Sequence, residues 1–257
     1  MNKKPEIAAQ LYTVREFTKT EEDIAKTLKK IKEIGYDSVQ VSAFGPYRTE
    51  FLRDALAENA LTACATHTPY ERIVGETEKV IAEHKILGIP YIGLGYRRLG
   101  SLAETETFLK ELLPAAKKIA DSGLKFVYHN HHWEFVRLEN GQTVMEYFLE
   151  HTSPEIFGLL PDCYWLQVSG INPERFLVEN KDRIGVIHLK DMRIAKEDGA
   201  QRYAEIFEGN MDYVSVYAAA ERAGVKYAAV EQDECYGRDP FESLKISREN
   251  IRARLGV

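Results

Sequence analysis

Three of the seven histidines in this 257-residue chain lie within the eleven residues KFVYHNHHWEF, numbers 125–135. Apolar and aromatic residues lead into His129, His131 and His132, and Glu134 follows them. Imidazole and carboxylate groups bind divalent metals, and imidazole also transfers protons near neutral pH. Because the chemistry of an α/β barrel is concentrated where its buried strands end, this stretch predicts part of a metal site whose other ligands come from later strands.

Polar side chains of the same kinds end several other short apolar runs. His67 ends the third run and Asp162 follows the sixth. His188 lies in the seventh run with Lys190 just after it, and Glu231 opens an acidic segment after the eighth. Taken singly, such a histidine is more often a hydrogen-bonded structural residue, and such an aspartate could simply cap a turn.

Taken together, these residues favour a metal centre. Carboxylates that arrive at one rim from several strands repel each other, and a divalent cation relieves that repulsion. Mixed oxygen and imidazole ligands suit Mn²⁺, Mg²⁺, Co²⁺ or Zn²⁺, and the residue types do not choose among these four ions.

The apolar runs alternate with longer amphipathic segments along the whole chain. The runs begin near residues 7, 38, 61, 91, 125, 157, 185 and 227, a spacing of roughly 31 residues, which is the size of one strand–helix unit. Helices are predicted over residues 21–34, 49–59, 72–87, 103–122, 143–151, 212–223 and 240–255, and another begins near Asn172 and Pro173. Eight such units predict a (β/α)8 TIM barrel, whereas the alternative, a doubly wound open sheet, lacks a GxGxxG motif after its first strand.

Composition and charge argue against several classes of protein. The net charge of −6 and the pI of about 5.7 lack the basic signature of a nucleic-acid-binding protein. Cys64, Cys163 and Cys235 lie far apart and form no CxxC pair, which indicates a reducing compartment and no disulfide framework. No signal peptide, membrane span or linker is recognisable, so we expect a single cytoplasmic domain over residues 1–257.

Four segments carry a resemblance to a known family. They are YHNHHWEF (128–135), LLPDCYW (159–165), VIHLKDMR (186–193) and VEQDECYGRDPFESLKIS (230–247). In this order on successive strands, they resemble the sugar phosphate isomerase/epimerase family of xylose-isomerase-like TIM barrels. That superfamily also contains inosose dehydratases, ketose 3-epimerases and endonuclease IV. The resemblance spans the whole chain and implies a metal-dependent enzyme.

The resemblance also implies a set of metal ligands, which in this sequence are Glu134, Asp162, His188 and Glu231. Many relatives have a glutamate at the end of strand five, where this chain has His129. Glu134 is assigned to that strand because it keeps a carboxylate ligand, and His131 is the reserve.

The implied reaction is the isomerisation or epimerisation of a keto-sugar or polyol-derived substrate through an enediolate. A lyase of the inosose dehydratase or keto-glycoside-eliminating type is the alternative, because elimination begins with the same proton abstraction. A DNA-repair endonuclease would need more metal ligands and a basic surface, and a non-catalytic sugar-binding barrel is the remaining class. We expect a small sugar or polyol as partner, no nucleic acid and no membrane, with a homo-oligomer as a possible assembly.

Residue roles follow from this implied chemistry. The candidates for acid–base catalysis are Glu231, Glu134, His131 and His129. The candidates for substrate binding are His67, Lys190, Trp133, Tyr12 and Arg238. The first two of these could bind hydroxyls or stabilise an oxyanion, the two aromatic residues could pack on a sugar ring, and the arginine could meet a phosphate or carboxylate.

Overall fold

The short apolar runs form the strands of one parallel sheet in the computed structural model, which describes residues 3–257. The strands are β1 (Glu6–Gln10), β2 (Ser38–Val41), β3 (Thr62–His67), β4 (Tyr91–Leu94), β5 (Lys125–His129), β6 (Gly158–Leu160), β7 (Val186–Leu189), β8 (Asp191–Ile194), β9 (Gln201–Ala204) and β10 (Tyr227–Val230). Eight of them pair in parallel in the order β6, β5, β4, β3, β2, β1, β10, β7, whereas β8 and β9 form an antiparallel hairpin.

The two edges of the eight-stranded sheet approach each other. Asp162, just after β6, bridges in parallel to His188 of β7, and the His188 N–H donates to the Pro161 carbonyl at 2.8 Å. A second parallel bridge joins Leu159 and Ile184. The sheet is therefore a nearly closed barrel with surrounding helices, and the predicted (β/α)8 TIM barrel is confirmed.

Amphipathic helices follow the strands. They are α1 (Glu21–Ile34), α2 (Thr49–Glu58), α3 (Tyr70–Gly75), α4 (Thr77–Leu87), α5 (Leu102–Asp121), α6 (Val144–His151), α7 (Cys163–Val168), α8 (Pro173–Glu179), α9 (Tyr213–Ala223) and α10 (Pro240–Leu255). In α1, Thr20 and Asp23 form a capping box, Ile24 and Leu28 are buried, and Gly35 ends the helix at a φ of 103°. Within residues 3–257, none of the helices is both long and apolar enough to cross a membrane.

Three features differ from the sequence-based prediction, and the first is α7, a short helix where none was predicted. The helix predicted over residues 72–87 is two helices, α3 and α4, which meet at Gly75 and Glu76. The Thr77 hydroxyl there donates to the Ile73 carbonyl at 2.7 Å, the carbonyl that a continuous helix would use for a backbone bond. The connection between β7 and α9, in which no strand or helix was predicted, contains the β8–β9 hairpin.

A small apolar cluster of inward-facing side chains fills the barrel, with members from every barrel strand except β2. They are Ala8, Cys64, Ala65, Tyr91, Val127, Leu160, Val186 and Ala229. Because side chains on a strand alternate between its two faces, a residue two positions further along points to the same interior. Two positions beyond Ala8, Ala65, Val127, Leu160, Val186 and Ala229 lie the polar residues Gln10, His67, His129, Asp162, His188 and Glu231. The barrel core is therefore capped by a polar layer at the carboxyl ends of the strands.

Candidate metal centre and active site

Four side chains of this polar layer form a compact group of metal-ligand type. Each of His129, Asp162, His188 and Glu231 is buried, and each offers one ligand atom within 4.8 Å of the others. The Nδ1 atom of His188 lies 2.9 Å from Oε2 of Glu231 and 3.8 Å from Oδ2 of Asp162. Neighbouring ligands of one octahedral ion, each at about 2.1 Å from it, lie roughly 3 Å apart, so these separations suit a shared cation.

The inward atoms of these side chains have no hydrogen-bond partner. The buried orphan atoms are His129 Nδ1, Asp162 Oδ2, His188 Nδ1 and Glu231 Oε2. Buried polar groups are normally paired, and a metal ion is one of the few groups that can satisfy a cluster of unpaired acceptors. The donor set therefore fits a divalent metal on geometry and on ligand chemistry.

Neighbouring residues hold three of these side chains by their other polar atom. His188 Nε2–H donates to Oε1 of Gln40 at 2.7 Å, which leaves Nδ1 as the acceptor nitrogen. Gln10 Nε2 donates to Glu231 Oε1 at 2.9 Å. Asp162 Oδ1 accepts from Trp165 N at 3.1 Å and caps α7, while Oδ2 accepts no hydrogen bond.

Lys190 brings a positive charge to the same group. Its Nζ atom lies 3.0 Å from Asp162 Oδ2, 2.9 Å from Glu231 Oε2 and 3.1 Å from Asp233 Oδ2. The first two contacts are ion pairs without hydrogen-bond geometry, since both oxygens remain unpaired acceptors. Burial opposes the charge of Lys190, but the carboxylates outweigh it and raise its pKa well above the usual value. Three carboxylates and one ammonium still leave a formal charge of −2, which favours a further cation.

The histidines divide into two kinds. Burial would lower the pKa of His188, but the carboxylates of Glu231 and Asp162 outweigh burial and raise it. Burial lowers the pKa of His67 to about 3 and that of His131 to about 4, and it holds the pKa of His129 well below the usual value. The three latter imidazoles are therefore neutral at physiological pH, the form in which histidine binds metals or accepts a proton.

A cavity of about 330 Å³ opens onto this cluster. It is lined by Tyr12, Arg15, His67, Gly95, Tyr96, His129, His131, Lys190, Tyr203, Glu231, Asp233 and Glu234. A second cavity of about 590 Å³ shares Tyr12, His67, Gly95 and Tyr96 with it. The Tyr12 ring is covered by the Arg15 guanidinium at 4.2 Å. The combined space is of the size that binds small molecules.

The structure brings most of the predicted site residues together. Asp162, His188 and Glu231 belong to the ligand group, and His129, predicted as a catalytic residue, occupies the strand-five position in it. His67, His131, Lys190 and Tyr12 line the cavity, as a substrate-contacting or acid–base role requires.

Glu134 lies outside the ligand group. Its Oε1 accepts from the Tyr128 hydroxyl and its Oε2 accepts from His131 N, both at 2.7 Å, so both oxygens are already hydrogen-bonded. Burial is the main cause of its raised pKa. The reason is geometric, because Glu134 follows the strand end by five residues, in a short helical turn (Trp133–Phe135), whereas His129 is the inward residue of β5 itself.

Two predicted substrate-binding residues do not line the 330 Å³ cavity. Arg238 is paired with Glu205 at 2.7 Å and with Glu208 at 3.6 Å. The Trp133 ring lies 4.2 Å from the His132 ring, and the Arg98 guanidinium covers it at 4.1 Å. Trp133 thus packs within the rim of the barrel.

Sequence reasoning gave no role to several residues of the site. Gln40 and Gln10 are polar residues at inward positions of apolar strands, and that pattern could have identified them. Asn130, whose Oδ1 accepts from Asp162 N at 3.1 Å, lies beside the recognised histidines. Tyr203 lines the cavity from the hairpin, and no local signal predicts that a polar connection folds back over the site.

The fold and the polar cluster define a TIM barrel with a metal-type centre at the carboxyl ends of its strands. The chain belongs to the xylose isomerase-like TIM barrel family, whose model matches residues 28–253.

Known proteins of related sequence are enzymes. Inosose dehydratase 2 of Bacillus cereus (strain ZK / E33L) is 29% identical over 233 residues, which cover 80% of this chain and 74% of that protein. The inosose dehydratase of Geobacillus thermodenitrificans (strain NG80-2) is 26% identical over 179 residues, which cover 63% of this chain but only 53% of that enzyme.

A solved structure of similar fold is a sugar phosphate isomerase/epimerase from Parabacteroides distasonis ATCC 8503. It superposes with a TM-score of 0.80 at 20% identity and covers 98% of this chain and 95% of its own. At this identity the likeness supports the fold.

Proposed function

We propose that this chain is a divalent-metal-dependent sugar isomerase or epimerase that acts through an enediolate on a keto-sugar or polyol-derived substrate. One observation carries the proposal: four buried, unpaired ligand atoms meet beside a cavity at the carboxyl ends of the strands. Membership of the xylose isomerase-like family supports it.

The residues that would hold the ion are His129, Asp162, His188 and Glu231. A divalent ion at this position supplies Lewis-acid polarisation of a substrate carbonyl, which acidifies the neighbouring C–H bond. Mn²⁺, Mg²⁺, Co²⁺ and Zn²⁺ remain the candidate ions, because carboxylate and imidazole ligands accept all four.

The chain's own residues supply the proton transfer and the charge. His131 lines the cavity, and its Nδ1 atom has no hydrogen-bond partner, so it is positioned to take the proton. Lys190 presents an ammonium group to the same cavity and stabilises negative charge on a substrate oxygen. Tyr12 lines the opening, where it would contact substrate hydroxyls.

A lyase that eliminates water or an aglycone is the second candidate. It is favoured by the presence of two distinct groups, His131 and Lys190, in one cavity, because elimination benefits from a separate base and acid. It is also supported by the inosose dehydratases among the related sequences. Both candidates begin with the same C–H cleavage.

The test combines metal removal with analysis of products. The protein would be stripped with a chelator, reloaded with Mn²⁺ or Co²⁺, and incubated with a panel of keto-sugars and keto-polyols in D₂O. An isomerase or epimerase incorporates deuterium into a product of unchanged composition, whereas a lyase releases water or an aglycone. Full activity of the chelated protein would contradict metal dependence.

A matched pair of variants accompanies this experiment. Asp162→Asn removes the charge of a buried ligand, and Asp198→Asn removes the charge of an exposed aspartate on the hairpin turn. We expect the first variant to lose turnover and the second to keep it. Equal activity of the two would contradict the assigned site.

A further inference from the structure

Three imidazoles meet at this centre, although the ligand set implied by the family resemblance contains one. His67, His129 and His188 each offer a ring nitrogen within 4.8 Å of the other two. Their ring centroids are 5.1 Å apart for the first pair, 5.5 Å for His67 and His188, and 4.4 Å for His129 and His188. His67 and His129 end β3 and β5, His188 is the penultimate residue of β7, and inward side chains from alternate strands of such a barrel occupy one layer.

His67 is held with one nitrogen free. Its Nδ1 atom lies 3.2 Å from Ser42 Oγ, a group that can accept the Nδ1 proton. The Gln10 amide is more distant, at 3.5 Å, and already donates to Glu231. The Nε2 atom of His67 is buried and has no hydrogen-bond partner. When Nδ1–H donates to a neighbour, the lone pair of Nε2 is available to a metal.

The environment of the free nitrogen offers no other partner for it within residues 3–257. His129 Nδ1 and His188 Nδ1 in the same layer are also buried and unpaired. When His188 Nε2–H donates to Gln40 and His67 Nδ1–H donates to Ser42, the free nitrogens of these two rings both present lone pairs and cannot satisfy each other. A metal ion would satisfy all of them together.

His67 lies within the 4.8 Å grouping of His129 and His188, and these two imidazoles also belong to the four-residue group. We propose that His67 is a fifth donor of the metal centre, which would then contain three imidazoles and the two carboxylates of Asp162 and Glu231. This inference rests on the proposed function, because it assumes that the site binds a metal. Imidazole ligands suit Zn²⁺, Co²⁺, Ni²⁺ and Fe²⁺, whereas Mg²⁺ and Ca²⁺ prefer an all-oxygen shell. The replacement of a strand-five carboxylate by His129 and the addition of His67 therefore direct the site toward borderline transition ions.

The decisive measurement counts nitrogen ligands directly. The chelator-stripped protein would be loaded with one equivalent of Zn²⁺ and examined by X-ray absorption spectroscopy, in which imidazole rings give a characteristic scattering pattern. We expect three imidazoles in the native protein and two in His67→Ala. We expect zinc affinity, measured by calorimetry, to fall at least about tenfold in that variant.

Two further variants complete the experiment. His132→Ala is the matched control, because His132 lies on the same rim, carries an unpaired Nδ1 atom and is outside the ligand group, so its zinc affinity should not change. His129→Glu replaces an imidazole by a carboxylate, so it should lower the affinity for Zn²⁺ relative to that for Mg²⁺. Circular dichroism of each variant confirms that it has folded.

The outcomes separate this inference from the proposed function. Two imidazoles in the native protein, or unchanged zinc affinity in His67→Ala, would overturn the fifth-donor assignment and leave the four-ligand centre intact. The absence of stoichiometric binding of any divalent ion would instead overturn the proposed function, and this inference with it. The native spectrum alone decides the imidazole count if the His67 variant does not fold.

Discussion

His188 and Glu231 face each other with the imidazole Nδ1 2.9 Å from the carboxylate Oε2, and neither atom has another hydrogen-bond partner. Both residues are buried. The second polar atom of each is hydrogen-bonded to a glutamine: His188 Nε2 donates to Gln40, and Glu231 Oε1 accepts from Gln10. The Lys190 ammonium lies 2.9 Å from the same Oε2, and a proton on His188 or a bound cation would bridge the two facing atoms. This pair is therefore the point at which protonation and metal binding compete.

Gln40 should control how well His188 binds a metal. In Gln40→Ala the imidazole loses the acceptor of its Nε2 proton, so its ring orientation and tautomer are no longer set. Loss of such a supporting partner typically costs about 10–100-fold in metal affinity. Calorimetric titration of the stripped protein with Zn²⁺ would measure it, with Gln142→Ala, in the loop between β5 and α6, as the control. Equal affinities in the two variants would show that Gln40 does not orient the ligand.

Lys190 should stabilise the metal-free protein. In Lys190→Met the carboxylates of Asp162, Glu231 and Asp233 lose their buried counter-charge. Removal of one member of a buried ion pair costs about 3–5 kcal/mol, which is a fall in Tm of roughly 10 °C for a chain of this size. The fall should be largest in chelator and should shrink when a divalent ion is added, because the ion replaces the lost charge.

Thermal unfolding with and without Zn²⁺ measures both effects. Lys26→Met is the matched control, since Lys26 pairs with Glu22 on the exposed surface of α1 and should change neither curve. A Lys190 variant as stable as the native chain in chelator would refute this account of the carboxylate cluster.

Asp191 should matter for stability and not for metal affinity. Its two oxygens accept from four backbone N–H groups, those of Met192, Phe207, Gly209 and Met211. In Asp191→Ala these donors lose their partner, and we expect a loss of about 3–5 kcal/mol. Denaturant unfolding would measure it, and Asp198→Ala on the exposed turn should cost less than about 1 kcal/mol. A small loss of stability in Asp191→Ala would mean that water accepts the hydrogen bonds of these four N–H groups.

Glu134 provides a direct test of the ligand that the sequence predicted. Because both of its oxygens accept hydrogen bonds from Tyr128 and His131, Glu134→Gln should leave zinc affinity within about threefold while it lowers stability by about 1–3 kcal/mol. Asp162→Asn should lower zinc affinity by about tenfold or more. A similar loss of affinity in the two variants would restore Glu134 as the ligand of strand five.

Much of the architecture was predictable because it depends on local pattern. The helix Glu21–Ile34 has the bounds that periodicity predicts, and the strand Tyr91–Leu94 begins where an apolar run was predicted to begin. The positions of Asp162, His188 and Glu231 at strand ends also follow from local pattern, because the carboxyl ends of the strands of a barrel share one rim, whereas their role as ligands was implied by the family resemblance.

The tertiary structure decided which side chains face the barrel interior and which remote residues are in contact. The choice between His129 and Glu134 depends on which of them is the inward residue of β5, two positions after Val127. The pairing of Gln40 with His188 joins residues 148 positions apart, and Tyr203 reaches the cavity only because the hairpin folds back over it. Sequence alone determined the kinds of groups and the ends of strands at which they lie, because periodicity and strand termini are local. Their distances, partners and free atoms were decided by the closure of the barrel, because closure brings remote strands into contact.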